Sequence, residues 1–564
     1  MNTEILGIIA MFVITLVLGI ILGKYIAKVY GYEKTFLDKI FLPVEKLIYK
    51  ISGIDAGRQL NWKQNMYAML TINFVWFVLG FLILLNQSWL PLNPDGNPSM
   101  SPDLAFNTAI SFLVNCNLQH YSGESGVSYL SQLYLMFLQF VTAATGMAAM
   151  AVLFKAFKDK TTTELGNFYD YFTRSITRIL VPISILVAFI LSANGSPMTF
   201  EGKDHIITLE GKEQAVSRGP AAAFIAIKHL GTNGGGFFGA NSAHPLENPN
   251  YLTNMTEMVT QMVIPFALVF ALGFYLKKRK LSWTIFTVMT IGFLALAIPN
   301  IINEVNGNPL ITQMGADHYL GAMEGKEIRF GSAASGYWSI ATTVISTGSV
   351  NAMHDSMMPL SGMNQLLAMM INCFYGGCGV GILNYFIFII LAVFMSGLMV
   401  GRTPEFMGKK IEAKEMKIAM IVALFHPFLI LVGTALTAYF PEFGAKTLNN
   451  PGFHGFSEML YEFTSSSANN GSGFEGLGDN TPWWNISTGI VLLLSRFIPI
   501  IGPIAIAGCL AQKKYIPESS GTLKTDTATF GFMTLAVILL IAALSFFPAL
   551  TLGPIAEQLQ YFSK

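Results

Sequence analysis

Long apolar stretches alternate with polar ones along the whole chain. Ten of them approach the roughly 20 apolar residues that a spanning helix requires. They fall at 5–23, 66–85, 130–153, 173–193, 258–276, 281–302, 366–400, 418–440, 485–511 and 527–549. Four short polar runs interrupt this pattern: Asn115-Cys116-Asn117, Thr232-Asn233-Gly234, Ser346-Thr347-Gly348 and Asn469-Asn470-Gly471. Their last residues are spaced 117, 114 and 123 positions apart. Each run follows a shorter, mostly apolar stretch that reads as a half-helix: Leu104 to Val114, Pro220 to Leu230, Ser335 to Ile345, and Phe456 to Ser467. Pro220 suits the first turn of such a helix. The order span, half-helix, polar run, span therefore recurs four times, with one extra span at each end. A glycine-tipped polar loop is tolerated at membrane depth only where it lines a cavity or is enclosed by protein. Four of them around one axis can replace a cation's water shell with backbone carbonyls. Half-helix C-termini aimed at that axis add partial negative charge. The pattern predicts an all-α polytopic membrane protein, with ten transmembrane helices, that handles a dehydrated cation. Ordinary surface loops would not fall in register with four pairs of spans.

Charge placement orients these spans. With the N-terminus outside, the inside loops are 24–65, 154–178, 277–280, 401–417 and 512–526, carrying 8, 5, 4, 5 and 3 Lys plus Arg. That is 25 of the chain's 34, while the outside stretch 86–130 carries none. The positive-inside rule then places both termini outside. No Lys or Arg precedes the first span, so it does not read as a cleavable signal peptide.

Two features break the regularity. From Ser356 to Gly401 no charged residue appears, too long for one simple crossing, and Gly376-Gly377-Cys378-Gly379-Val380-Gly381 lies in its middle. Such glycines read either as a broken helix with a mobile loop beneath the third polar run or as close packing of small residues between helices. The ninth span carries Arg496 in an otherwise uncharged run. A central Arg costs several kcal/mol unless it has a partner or water. It serves either as a fixed positive charge opposing straight passage of a cation or as a structural pair with helix carbonyls.

Composition agrees with membrane residence: 52% of the 564 residues are hydrophobic and 12% are charged. A net charge of +1 favours no polyanionic partner. The cysteines Cys116, Cys373, Cys378 and Cys509 read as small buried residues, with no metal-ligand spacing to any His. Asp159-Lys160-Thr161-Thr162 starts like a P-type ATPase phosphorylation signature but lacks its glycine, in a loop too short for a nucleotide domain. No phosphate-binding GxxxxGK[ST] loop is present either. His120, His244 and His354 recur near the polar runs, where they are expected to brace the loops by hydrogen bonds.

Several long motifs carry a resemblance to a known family. The stretches Asn117-Leu-Gln-His-Tyr-Ser-Gly-Glu124, Gly231-Thr-Asn-Gly-Gly-Gly-Phe-Phe238, Asn241-Ser-Ala-His-Pro245, Asn351-Ala-Met-His-Asp355 and Ser467-Ala-Asn-Asn-Gly-Ser472 resemble the KdpA family, over nearly the whole chain. The resemblance implies a member of the superfamily of potassium transporters, with four span–pore-loop–span repeats around a pseudo-fourfold potassium pore. Within a single membrane domain the repeats fall at 60–155, 170–277, 280–402 and 417–512, with extra helices at 1–24 and 526–550. It implies the potassium-selective subunit of an ATP-driven uptake pump in the bacterial cell membrane. Such a subunit is not an enzyme by itself and needs no cofactor beyond the transported potassium. The implied partners are KdpB, a P-type ATPase subunit that receives potassium through an intramembrane tunnel, and the small KdpC and KdpF. The filter positions become Asn115, Cys116, Asn117, Thr232, Asn233, Gly234, Ser346, Thr347, Gly348, Asn469, Asn470 and Gly471. Gln119 matches a position that influences potassium affinity. Arg496 and the glycines Gly376, Gly377 and Gly379 match the elements that hold the path below the filter closed. A passive potassium channel or secondary symporter of the same superfamily is the alternative, but those relatives have eight spans.

Overall fold

The computed structural model describes residues 3–315, 319–399, 401, 403–517 and 524–562. Ten of its helices are long and apolar enough to cross a membrane. They start at Thr3, Trp62, Tyr129, Phe168, Tyr251, Arg279, Val380, Ala413, Pro482 and Ala528. Polar residues set several of these starts. Before the second span, Asn61 Oδ1 accepts from the Gln64 backbone N–H and Gln64 Oε1 from that of Asn61, both at 3.0 Å, which satisfies two otherwise orphaned helix donors.

Four shorter helices, Pro102–Leu113, Ala221–Leu230, Ser332–Val344 and Phe453–Ala468, sit where the half-helices were expected. All four are almost wholly buried. Pro220 lies one residue ahead of its helix, as the N-cap rather than in the first turn. In each repeat the second span is the more enclosed. The buried share of the apolar stretch is 89% for the third span against 28% for the second, and 83% for the fifth against 39% for the fourth. The same order holds for the seventh against the sixth, 61% and 50%, and for the ninth against the eighth, 61% and 33%. Four inner helices therefore surround the pore helices, and the outer helices face lipid.

The long uncharged segment of the third repeat is broken. One helix, Pro359–Ile371, ends at Asn372 in the left-handed conformation, and the seventh span begins at Val380. Between them Tyr375, Gly376 and Gly379 also have positive φ. The broken-helix reading of the glycines holds, and close packing holds with it. A Cβ at Gly379 would strike the Gly146 carbonyl of the third span, and one at Gly146 would strike the Cys378 carbonyl.

The first span lies outside the repeats and docks on the fifth through Gly19 and Gly23, one turn apart. Their absent side chains let it approach the backbone at Ala267, the small-xxx-small mode of membrane helices. Two features escape a pattern of spans and loops. An amphipathic helix, Asp38–Ser52, follows the first span, pinned by Arg178, whose Nε and Nη2 donate to both Glu45 oxygens at 2.6 Å. The otherwise all-α fold also carries two small antiparallel hairpins, Asp204–Ile207 with Glu213–Val216 and Glu405–Phe406 with Lys409–Lys410.

Candidate functional site

The four polar runs leave their helices in the same way. The first residue of each, Asn115, Thr232, Ser346 and Asn469, is left-handed, with φ of 63°, 51°, 50° and 53°. None is glycine, and the conformation is a genuine outlier for a β-branched threonine. For the threonine and the serine, holding it costs about 1–3 kcal/mol each, a cost that persists where surrounding structure over-determines it; the two asparagines adopt it more readily. The second residue then returns its N–H to the carbonyl five residues earlier. Cys116 bonds Ser111, Asn233 bonds Lys228, Thr347 bonds Thr342 and Asn470 bonds Ser465, at 2.8–3.2 Å. This equivalence turns each chain out of its helix toward a common axis.

Side chains lock the turns. Asn115 Nδ2 donates to the Gly231 and Thr232 carbonyls at 3.1 and 2.7 Å, tying the first run to the second. Asn470 Nδ2 donates to the Thr342 carbonyl at 2.9 Å, tying the fourth to the third. Hydroxyls on the pore helices cap the last residues: Thr342 Oγ1 accepts from Gly348 N and Ser465 Oγ from Gly471 N, at 2.9 and 3.0 Å. Sequence reasoning missed these two hydroxyls, although Thr342 and Ser465 both stand six residues before the end of their runs; at the matching Ser111 it is the backbone carbonyl that accepts from Asn117 N, at 3.1 Å. The second run has Lys228 there instead. Lys228 pairs with buried Glu247 and donates to Asn241 Oδ1, while Asn241 Nδ2 donates to the Gly234 carbonyl at 2.8 Å.

The glycines close the arrangement for two different reasons. Gly348 and Gly471 have φ of 86° and 104°, and Asn117 occupies the matching place at 59°, a conformation asparagine tolerates. Gly234 is not left-handed; it is glycine for space. A Cβ there would strike the Cys116 carbonyl and lie 2.6 and 2.8 Å from those of Asn470 and Thr347. Carbonyl oxygens from the middle residues of the other three runs thus converge on one point.

Outside the runs lies an open vestibule lined by Gln119, His120, Glu475 and Asp479 among others. Gln119 pairs with Gly236 as a strand would, Nε2 donating to its carbonyl at 3.1 Å and Oε1 accepting from its N–H at 2.8 Å. The histidines brace loops, as expected. His120 sits between Asn485 Oδ1 and Glu462 Oε1, at 2.6 and 3.1 Å. His354 Nδ1 bonds the Tyr461 hydroxyl, which reaches Ser472 beside the fourth run. His244 stacks on Phe238 and accepts from Leu246 N. Burial alone would depress His120, but the carboxylates of Asp479 and Glu462 outweigh it and hold the imidazole up at about 9. Glu475 is open to solvent yet walled by protein. That enclosure, followed by repulsion from Asp479 and Glu462, raises its carboxyl above the usual range.

Beneath the runs lies the glycine loop. A Cβ on Gly377 would rest 3.4 Å from Thr232 Oγ1 and 3.6 Å from the Ile345 carbonyl, and Cys378 N donates to Thr232 Oγ1 at 3.0 Å. Arg496 is buried on the ninth span, near Cys378 and Cys116. Its Nη2 donates to the Thr142 carbonyl at 3.0 Å, while Nε has no partner. Among the described residues no carboxylate pairs with it. All four cysteines are free. A small cavity of about 60 Å³ opens to one side, between the seventh to tenth spans. Its polar wall includes Asn372, which accepts from the Ser346 hydroxyl, and Ser495, which accepts from Asn469 Nδ2.

Four pore helices, four reversed polar runs and four inner spans define a pore-loop membrane transporter with fourfold pseudosymmetry. The chain belongs to the KdpA family: the family's sequence profile, described as potassium-transporting ATPase A subunit, matches residues 9–559. It is 70% identical to a potassium-transporting ATPase potassium-binding subunit of Flavobacterium johnsoniae, over 99% of both chains. It is 60% identical to the protein so named in Bacteroides thetaiotaomicron, over 99% of this chain and 100% of that one. The Geobacillus kaustophilus protein is 47% identical over 97% and 98%. The fold is similar to the potassium transporter TrkH from Vibrio parahaemolyticus, with a TM-score of 0.51, 14% identity, and coverage of 89% of this chain and 98% of that one.

Proposed function

We propose that this chain is the potassium-selecting subunit of an ATP-driven uptake pump. The observation that carries the reading is the convergence of backbone carbonyls from separate repeats beside Gly234, a cage suited to a dehydrated monovalent cation. Asn115–Asn117, Thr232–Gly234, Ser346–Gly348 and Asn469–Gly471 form the filter, within repeats at 60–155, 170–277, 280–402 and 417–512. The helices at 1–24 and 526–550 stand outside the repeats. Potassium enters from the vestibule and passes the filter. Gly376, Gly377, Gly379 and Arg496 bar the straight way inward. The ion leaves sideways through the cavity beside Asn372 and Ser495 toward a P-type ATPase subunit of the KdpB kind, in a complex with KdpC and KdpF. ATP hydrolysis belongs to that partner. The protein resides in the bacterial cell membrane with both termini outside, as its charge distribution favours. The test is purification from the native host. Recovery with an ATPase subunit and potassium-stimulated hydrolysis supports the pump, whereas recovery alone, with passive potassium conductance, overturns it.

Gln119→Arg is expected to raise the potassium concentration for half-maximal ATPase activity by about tenfold. A guanidinium beside the vestibule repels the ion where little water screens it, and the two hydrogen bonds to Gly236 are lost. The complex should still assemble, because Gln119 braces a loop and not a packed span. Unchanged potassium dependence would place Gln119 away from the ion path.

Acidification should weaken potassium binding. A carboxyl whose affinity for protons is raised loses its charge at a higher pH than usual. As the pH falls from 8 to about 6, the neighbouring Glu475 and Asp479 carboxyls take up protons as a pair, Glu475 leading, and the vestibule loses negative charge, so apparent affinity should drop by about two- to fivefold. Glu475→Gln should begin at the weaker affinity and show a flatter pH dependence. A variant with the parent's full pH dependence would remove Glu475 from this role.

A further inference from the structure

A second group of polar side chains lies away from the ion path, where the third and fourth repeats meet the C-terminal helix. Asp355 comes from the turn after the third filter run, and His454 and Glu458 stand one turn apart at the start of the fourth pore helix. One potential ligand atom from each lies within 4.8 Å of the other two. His454 Nε2 is 2.9 Å from Asp355 Oδ1, and its Nδ1 is 2.9 Å from Glu557 Oε1 on the C-terminal helix Ala556–Phe562.

Two independent observations point to a ligand. Glu458 is fully buried, and its Oε2 has no hydrogen-bond partner. Its Oε1 and Asp355 Oδ2 share a single donor, Asn450 Nδ2, at 2.8 and 3.5 Å. A buried carboxylate with an unmet oxygen is costly, and a second carboxylate beside it raises that cost. Second, the space between those oxygens is kept open by a glycine. A Cβ at Gly476 would strike Glu458 Oε1 and lie 2.6 Å from Asp355 Oδ2.

We propose that Asp355, His454 and Glu458 bind one first-row divalent cation, such as Zn²⁺ or Mn²⁺, with Glu557 orienting His454. The imidazole nitrogen selects this class over potassium or magnesium, which favour all-oxygen sites. Glu557 on the far ring nitrogen is the arrangement that fixes a metal-bound histidine's tautomer and raises its basicity. Ligands with bonds of 2.0–2.2 Å to one tetrahedral ion stand roughly 3.4 Å apart, so the 2.9 Å contact of His454 with Asp355 must open slightly while the more distant ligand atoms move inward. Half a turn of the Asn450 carboxamide presents Oδ1 as a fourth ligand. The ion ties the outer loop of one filter run to the pore helix of the next and to the chain's last helix. The sequence hides this site because its ligands come from residues a hundred positions apart.

The experiment uses the assembled complex, passed over a chelating resin and measured for metal content and thermal unfolding. The expected result is one equivalent of a first-row divalent metal per chain. EDTA should remove it and lower Tm, and Zn²⁺ alone should restore Tm. Glu458→Gln keeps the shape and leaves both bonds of His454 in place; it should lose the metal and weaken the Zn²⁺ response at least tenfold. His454→Ala should do the same. Absence of stoichiometric metal together with a Tm indifferent to EDTA and Zn²⁺ would overturn the proposal in favour of a protonated His454 bridging Asp355 and Glu557. Equal metal in the parent and both variants, an adventitious ion only, would overturn it as well.

Discussion

Arg496→Ala should convert a tightly coupled transporter into a leaking one. In proteoliposomes containing the whole complex, potassium flux without ATP is expected to rise about tenfold or more, the change that about 1.4 kcal/mol off a barrier produces. With ATP, net uptake should fall further than hydrolysis does. The geometry makes this specific. The guanidinium is buried near Cys378 of the glycine loop, has no carboxylate partner among the described residues, and spends only Nη2 on Thr142. Its charge is therefore not neutralised in place and acts on a cation above it. Losing the Thr142 bond costs about 1–3 kcal/mol of stability. A purely structural arginine would show that loss alone, with flux and hydrolysis falling together and no leak.

Gly234→Ser should weaken potassium dependence by about 10- to 100-fold, or about 1.4 kcal/mol for each factor of ten. Rubidium or sodium should gain relative to potassium. The cause is steric, since Gly234 has no special φ and the added Cβ occupies the point where three carbonyls meet. One or more must turn away, and the cage then loses ligands on one side. The assay is potassium-, rubidium- and sodium-stimulated ATPase activity of the assembled complex. Gly96→Ser supplies a control: Gly96 has φ of 65° and open space around it, so that substitution strains the backbone without touching the filter. Equal effects of the two would remove Gly234 from the cage.

Much of this architecture was written in the pattern of apolar lengths. Ten spans, four half-helices and the break under the third run follow from hydropathy and glycine placement, because lipid leaves the backbone few alternatives to a helix. The amphipathic helix Asp38–Ser52 was missed because its apolar residues are too few for a span, and its anchor, Arg178, lies over a hundred residues away. In the site, the runs were legible as polar interruptions at even spacing. Their supports were not. Asn241 reaches Gly234 from beyond the run, Asn372 reaches Ser346 from the broken helix, and Glu475 and Asp479 meet His120 across the vestibule. Each depends on how separate repeats face one another, which no local period records. Glycine at 234 is likewise set by crowding from the other runs and not by its own backbone shape.

The broken helix occurs in the third repeat alone among the described residues, and the buried arginine stands in the fourth. A ring of identical subunits could not make that choice, because one gene change would appear in all four quadrants and the only continuous route would run along the shared axis. Joining the quadrants in one polypeptide lets each evolve separately. One can become a floor, its neighbour an electrostatic barrier, and the seam between them a doorway. On the route proposed above, concatenation is what lets a channel-like ring hand its ion sideways to a neighbour.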